Sequence, residues 1–238
     1  MDADLQRTCE MFIRNRDLLS ETFRWEGSAM HTIGSAVLTS HSMEPEIDKM
    51  KECAQIIKDN AGMLSPLRGY LKIMVICNML LSSDPEEYFR NIERAYNLIR
   101  ITRRMRDQQF YLAAIAMCNV VADKEELLGM VDKTNEIYAR LRNVKNFRED
   151  GKGYVLAAVV AATHTVDIDA YLAEAERCSE MLEDTFDNTS DLTELCCILA
   201  LDKANAELKC VRLKEIFRLL DAEGIDRKST RLNSSHSV

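Results

Sequence analysis

The chain has 238 residues, 47% hydrophobic and 29% charged, with only 8 Gly and 3 Pro and a formal net charge of −8 at pH 7. That composition excludes a disordered chain and suits one globular domain with a sizeable core, while the acidic balance weighs against a nucleic-acid partner. Its longest uncharged apolar stretches, such as IMVICNMLLSS (73–83) and YVLAAVVAATHTV (154–166), are shorter than the roughly 20 residues a bilayer span requires. The N-terminus MDADLQRTCEMFIRN begins acidic where a secretory signal begins basic. The expectation is a cytoplasmic protein with no membrane partner.

In the first segment, within 2–23, charges intersperse with Leu5, Met11, Phe12, Leu18 and Leu19 as a one-sided helix requires, and this helix is expected to cap the N-terminal end. FRWEGSAMH (23–31) follows and holds Trp25, the sole tryptophan. Core at the junction with the next helix is the preferred reading of Trp25, and an anchor for a partner is the other.

From there a short, strongly apolar segment and a longer amphipathic one recur about every 40 residues. The long segments align as KECAQII (51–57), ERAYNLI (93–99), NEIYARL (135–141), ERCSEML (176–182) and KEIFRLL (214–220), with Ala54, Tyr96, Tyr138, Ser179 and Phe217 in one column. The short segments place Gly34, Cys77, Cys118, Ala158 and Cys196 in a column of small side chains, read as a position of close helix approach.

Helix-start chemistry separates the segments. Asp84 is an N-cap with Pro85 at the first helical position, and Glu87 is expected to reach back to the Asp84 N–H in a variant capping box. Asp123, the segment Glu44-Pro45-Glu46, and either Asp167 or Asp169 are read in similar parts, and Gly62, Gly151 and Gly224 as helix stops. No segment sustains the alternation of a strand. The expected fold is all-α, about eleven helices in antiparallel pairs forming an α-solenoid-like helical repeat array, one domain over 1–225.

Residues that could carry chemistry are few. The eight cysteines (Cys9, Cys53, Cys77, Cys118, Cys178, Cys196, Cys197, Cys210) show no C-x-x-C and no Cys–His spacing for zinc, and are read as buried reduced thiols. A vicinal Cys196–Cys197 disulfide would strain the helix. His41 and His164 each have one carboxylate at i+3 (Glu44 and Asp167) and His31 has none, short of a zinc ligand set. Motifs for phosphate loops, dinucleotides, serine nucleophiles and zinc proteases are missing, and the pairs Glu86/Glu87 and Glu125/Glu126 are explained by helix starts. No catalytic residue, cofactor or metal is therefore assigned.

RITRRMRDQQ, with Arg100, Arg103, Arg104 and Arg106, is the best candidate for an anion patch. It closes a helix, where the dipole favours cations, and no aromatic interleaves it, so a solvated helix end is preferred. Arg140, Arg142, Lys145 and Arg148 hold the equivalent end of the next repeat, and the two clusters would form a basic stripe on a shared face.

The succession FRWEGSAMH, KECAQIIKDNAGMLSPLRGYL, SSDPEEYFRNIERAYNLI, NEIYARLRN and CCILALD resembles the bacterial domain of unknown function 4003 family over nearly all of 1–225. The N-x-G-x-[LF]-S-x-[LF]-R-G piece from Asn60 to Gly69 and the D-P-E-E helix start carry the resemblance. It implies a helical cytoplasmic protein, and with no activity established for the family it carries over no catalytic residue.

Two functional readings follow. One is a helical-repeat interaction or scaffold module for a protein or peptide partner, with Trp25, Asn60, Arg68, Arg103 and Arg104 as candidate binding surface. The other is an all-α enzyme or small-ligand receptor whose site is enclosed by helix pairs near Trp25, Asn60 and Arg68. Plentiful repeats and missing catalytic motifs favour the first. An open groove with exposed aromatics would support the first, and an enclosed pocket with convergent polar groups the second.

The final segment DRKSTRLNSSH (226–236) matches one reading frame of a common sequencing adapter residue for residue, and is read, through Val238, as an artefact outside the protein's own sequence. With it goes the idea of a basic nucleic-acid-binding tail. A chain cut short there is expected to leave Leu213, Ile216, Phe217 and Leu220 partly uncovered, as in an interior repeat lacking its neighbour.

Overall fold

The computed structural model describes residues 3–104, 106–121, 123–163, 167–187 and 189–224; His164 and the adapter-like segment lie outside the described residues. The described chain forms α1 (Ala3–Thr22), α2 (Ser28–Ser40), α3 (Ile47–Asn60), a 3-10 turn (Pro66–Arg68), α4 (Lys72–Leu81), α5 (Pro85–Arg103) and α6 (Phe110–Cys118). There follow α7 (Lys124–Leu141), α8 (Gly151–Ala162), α9 (Ile168–Leu182), α10 (Ser190–Leu199) and α11 (Ala206–Ala222). No strand occurs among the described residues, so the fold class is all-α. None of these helices is long and apolar enough to cross a membrane.

The alternation seen in sequence has a physical basis. Short helices such as α6, FYLAAIAMC, are buried nearly all round, at Phe110, Tyr111, Ala113, Ala114, Ile115, Met117 and Cys118. Longer ones bury one face only: α5 does so through Phe89, Ile92, Ala95 and Ile99, spaced three or four apart as a helix with one apolar stripe demands, with Tyr88 beside them.

The chain divides into two compact units, Met1–Lys133 and Thr134–Val238. In the first, α1 packs on α2, α2 and α3 on α4, and α5 on α4 and α6. The α1–α2 pair is antiparallel: His31 Nε2 lies 3.0 Å from Phe23 O, and Asn15 Nδ2 donates to Thr39 Oγ1 at 3.1 Å. Small residues permit the close approach, since a Cβ on Gly34 would sit 2.7 Å from Ile73 Cγ2 and 3.0 Å from Cys77 Sγ.

In the second unit α9 packs on α10 and α11, and α8 on α10, around Cys178, Leu182, Leu192, Cys196, Ala206 and Cys210. Here α9 and α11 run in the same direction, because Glu174 pairs with Lys209 at 2.6 Å and Asp184, further along, with Lys214 at 2.7 Å.

Helix starts follow the sequence in part. Asp84 Oδ1 accepts from Glu87 N at 2.9 Å, Asp167 Oδ1 from Asp169 N at 3.0 Å, and Asp123 Oδ1 from Glu125 N at 2.7 Å. The reciprocal half of the capping box is not formed. Ser82 Oγ takes the Asp84 N–H at 3.2 Å, while Arg90 and Arg94 hold the Glu87 carboxylate at 3.0 and 2.5 Å, charge-assisted contacts that outcompete a neutral N–H. Glu46 makes no side-chain cap bond and pairs with Lys49 at 2.7 Å instead. Gly151 starts α8 where a helix stop was expected, with Asp150 as N-cap. Gly224, at φ 73°, does follow the end of α11 in the left-handed conformation glycine favours.

Candidate functional site

Three connections, α1–α2, α3–α4 and α5–α6, lie at one end of the first unit. Lys72, opening α4, joins the first two: its Nζ pairs with Glu26 Oε1 at 3.0 Å and sits 5.7 Å from the centroid of the Phe23 ring. These contacts hold both flanks of the α1–α2 turn and leave Trp25 between them pointing to solvent. It is 98% exposed, which overturns the core reading.

The α3–α4 connection is fixed by side chains that satisfy the last carbonyls of α3. Asn60 Nδ2 donates to Ile56 O at 2.9 Å, and Arg68 Nη2 donates to Lys58 O. With those bonds made, the connection turns Met63 and Leu64 outward, 83% and 95% exposed. A shallow depression of about 330 Å³ beside them is lined by Met63, Leu64, Arg68, Tyr70 and Gln108, and a second of about 260 Å³ by Lys58, Arg68 and Lys72.

Gln108 brings in the third connection. Burial, and after it the Asp107 carboxylate, push the Tyr70 phenol up from its ordinary value. Arg103 closes α5, and Arg104 caps it in the left-handed conformation, φ 52°, donating its N–H to Ile101 O. Trp25, Asn60, Arg68, Arg103 and Arg104 thus all lie at this end. Sequence reasoning did not single out Lys72, Met63, Leu64 or Tyr70. A usable signal existed: an apolar pair between Gly62 and Ser65-Pro66, outside any helical period.

The three arginines of the second basic cluster are ion-paired within their own unit. Arg140 pairs with Asp169, Arg142 with Glu149 at 2.6 Å, and Arg148 with Asp150 at 3.1 Å and Glu194 at 3.7 Å.

The other end of the first unit carries a cleft of about 690 Å³ lined by His41, Asn78, Tyr88, Asn91, Cys118 and Asn119, among others. Asn78 and Asn91 are nearly buried. Asn78 Nδ2 donates to Met74 O at 2.8 Å, Asn91 Oδ1 accepts from Arg94 at 2.8 Å, and Tyr88 donates to Asn119 Oδ1 at 2.6 Å. Burial pushes the Tyr88 phenol far up, so it serves as a donor rather than a base. His41 Nδ1 lies 3.0 Å from Val37 O, and its i+3 carboxylate Glu44 is taken by Arg14 at 2.8 Å. His31 is spent on Phe23 O.

Among the described residues no three His, Cys, Asp or Glu side chains converge as a metal site would require. Seven cysteines are buried free thiols; Cys9 is exposed, contrary to the reading of all eight as buried, because it lies on the outer face of α1.

What the fold and its surfaces define is an all-α protein of alternating short and long helices, with an exposed aromatic and basic end on its first unit. The chain belongs to the family described as protein of unknown function (DUF4003), whose model matches residues 15–234 and so runs into the adapter-like segment. No curated protein and no solved structure matches the chain.

Proposed function

We propose that this is a cytoplasmic helical-repeat interaction module, a solenoid-like array over 1–225, that docks a protein or peptide partner on the Trp25 end of its first unit. One observation carries the reading: Trp25, Met63 and Leu64 are almost fully exposed at an end that also holds Lys58, Arg68, Lys72, Arg103 and Arg104. Large apolar side chains left in water beside cations suit a partner with an apolar anchor and acidic flanks, since aromatic and arginine side chains dominate contact energy where partners meet.

The test is affinity capture from the native host with wild type, Trp25→Ala and Leu64→Asp, followed by binding of the recovered partner to purified protein. Loss of the partner with both variants, at unchanged melting temperature, supports docking at this end. Retention with both sinks it.

A second reading, a small-ligand receptor, is favoured by Asn78 and Asn91, polar and nearly buried at the cleft of about 690 Å³. A strong rise in melting temperature with one metabolite, unaffected by Trp25→Ala and abolished by Asn91→Leu, would select it.

A further inference from the structure

Three helices of the first unit end at one place. His41 caps α2, Ser82 caps α4 and Asn119 caps α6, and all three caps line the cleft of about 690 Å³. A helix C-terminus carries partial negative charge, which Lys or Arg in the last turn commonly offsets. None of these three last turns holds one, and no Lys or Arg lines the cleft among the described residues. His41 spends its Nδ1 on Val37 O. The helix that begins there, α5, meets its own dipole with Asp84, Glu86 and Glu87. Of these, Glu86 pairs with Arg90 and Glu87 with Arg90 and Arg94, while Asp84 has no basic partner among the described residues. The cleft lies in a field that favours positive charge and holds no permanent cation to answer it.

Two acceptors are open in it. Asn78 is only 5% exposed; its Nδ2 is used on Met74 O at 2.8 Å, while its Oδ1 takes no hydrogen bond among the described residues and faces the cleft. A nearly buried amide oxygen without a donor is costly, and a ligand N–H would satisfy it. Asp84 Oδ1 takes the Glu87 N–H at 2.9 Å, which leaves Oδ2 available. Met43, Leu80, Leu81 and Val121 supply apolar wall, and the volume is that of a site for an organic molecule rather than a bare ion.

We propose that the cleft binds a small primary amine in its protonated form, the ammonium donating to Asn78 Oδ1 and Asp84 Oδ2 and a short apolar chain lying against Leu80, Leu81 and Val121. This rests on the reading of the cleft as a small-ligand site and gives that ligand its class. A quaternary ammonium has no N–H to give, and Tyr88, the one aromatic described in the lining, makes no aromatic cage. A divalent metal needs more charged ligands than converge here among the described residues.

The test uses the whole chain in thermal melts and titration calorimetry at fixed ionic strength, with probes of one chain length: n-pentylamine, pentyltrimethylammonium, 1-pentanol and pentanoate. At about ten times its Kd, pentylamine should raise the melting temperature by about 3 °C, and the other probes at the same concentration by less than about 1 °C. Asp84→Asn keeps a good N-cap and removes the charge. The free protein should then melt within about 2 °C of wild type while pentylamine binds at least about tenfold more weakly. Asn78→Leu keeps the volume, removes the acceptor and should weaken pentylamine at least about fivefold. Asp48→Asn, an exposed carboxylate of α3 outside the cleft lining, should leave binding unchanged. No shift with pentylamine, or a shift that survives both Asp84→Asn and Asn78→Leu, overturns the proposal. An equal shift with pentanol or pentanoate that Asn78→Leu abolishes also overturns it, while upholding the cleft as a site for a ligand of another class. The ligand-site reading itself fails on a different result, a metabolite screen with no rise in melting temperature that Asn91→Leu abolishes.

Discussion

The Tyr88 hydroxyl donates to Asn119 Oδ1 across 2.6 Å, tying the first turn of α5 to the residue that caps α6. Tyr171 holds the same fourth place in α9, and its hydroxyl donates to Cys197 O at 2.9 Å in the last turn of α10. One geometric device thus serves two helix pairs: a tyrosine at the start of a long helix satisfies a polar group at the end of the short helix that follows. Tyr171→Phe strands a buried carbonyl and should cost about 1–3 kcal/mol in urea unfolding, whereas Tyr88→Phe frees an amide that water can reach and should cost about 0.5–1.5 kcal/mol. A larger loss for Tyr88→Phe would refute the role given to burial.

Three glycines in helices should respond to alanine in graded fashion. A Cβ on Gly129 meets nothing within 4 Å, so Gly129→Ala should stabilise by about 0.5–1 kcal/mol through helix propensity alone. At Gly34 the same gain is outweighed by the contact at 2.7 Å with the stiff, β-branched Ile73, and a net loss of about 1–2 kcal/mol is expected. At Gly153 the obstacle is the Arg148 carbonyl, a backbone group that cannot rotate aside, so the loss should be the largest of the three. Thermal melts of the three variants read the order directly.

What was legible in the sequence was what is local. The caps at Asp84 and Asp167, the close helix approach at Gly34, and the alternation of short apolar with long one-sided helices depend on neighbours within a turn or two, and these appear in the structure. Glu87 went wrong because two arginines on the same helix compete for its carboxylate. Trp25 went wrong for a different reason. Whether a turn's aromatic is covered depends on what the turn packs against, and Phe23 and Glu26 take Lys72 across a separation of 46 residues in the Glu26 pair. The pairing of Arg140 with Asp169, 29 positions away, is equally invisible to any local pattern.

Trp25 is the only tryptophan and stands almost wholly in water, so its fluorescence reports on this end of the first unit alone. Emission should resemble that of a free indole in water and be quenched efficiently by a soluble quencher. Trp25→Ala should change stability by less than about 0.5 kcal/mol, where Leu19→Ala, in the fully buried core of the same helix pair, should cost about 3 kcal/mol. Blue-shifted emission or a large loss on Trp25→Ala would return the residue to the core.

Lys209 is 3% exposed, yet it donates from Nζ to Glu174 at 2.6 Å and to Asp202 O at 3.2 Å. Its long stem fills the space between α9 and α11 while its head finds both partners, so truncation should remove packing and strand a carboxylate. Lys209→Ala is expected to cost about 2–3 kcal/mol, and Lys209→Met, which keeps the volume, about half as much. Glu174 can turn toward water, which limits the second loss. Equal costs for the two variants would show that charge alone matters there.

Burial holds the thiols protonated. The pKa values of Cys77, Cys118 and Cys196 are pushed up to about 12 by burial, that of Cys178 to about 12 by burial and then by Cys210, and those of Cys53 and Cys197 to about 11 by burial. In the unfolded chain the same groups ionise near their ordinary value of 9.0. Above that pH the unfolded state loses protons that the folded state retains, which favours unfolding. The stability these thiols contribute is therefore complete below pH 9.0 and falls as pH rises from there toward about 12. At neutral pH a thiol-directed reagent should find one fast site, Cys9, the exposed one, with the remainder reacting only on unfolding. Cys9→Ser should abolish the fast phase without changing the unfolding midpoint. A second fast thiol in the native protein, or stability that stays level from about pH 8 to about pH 11, would contradict the burial of this core.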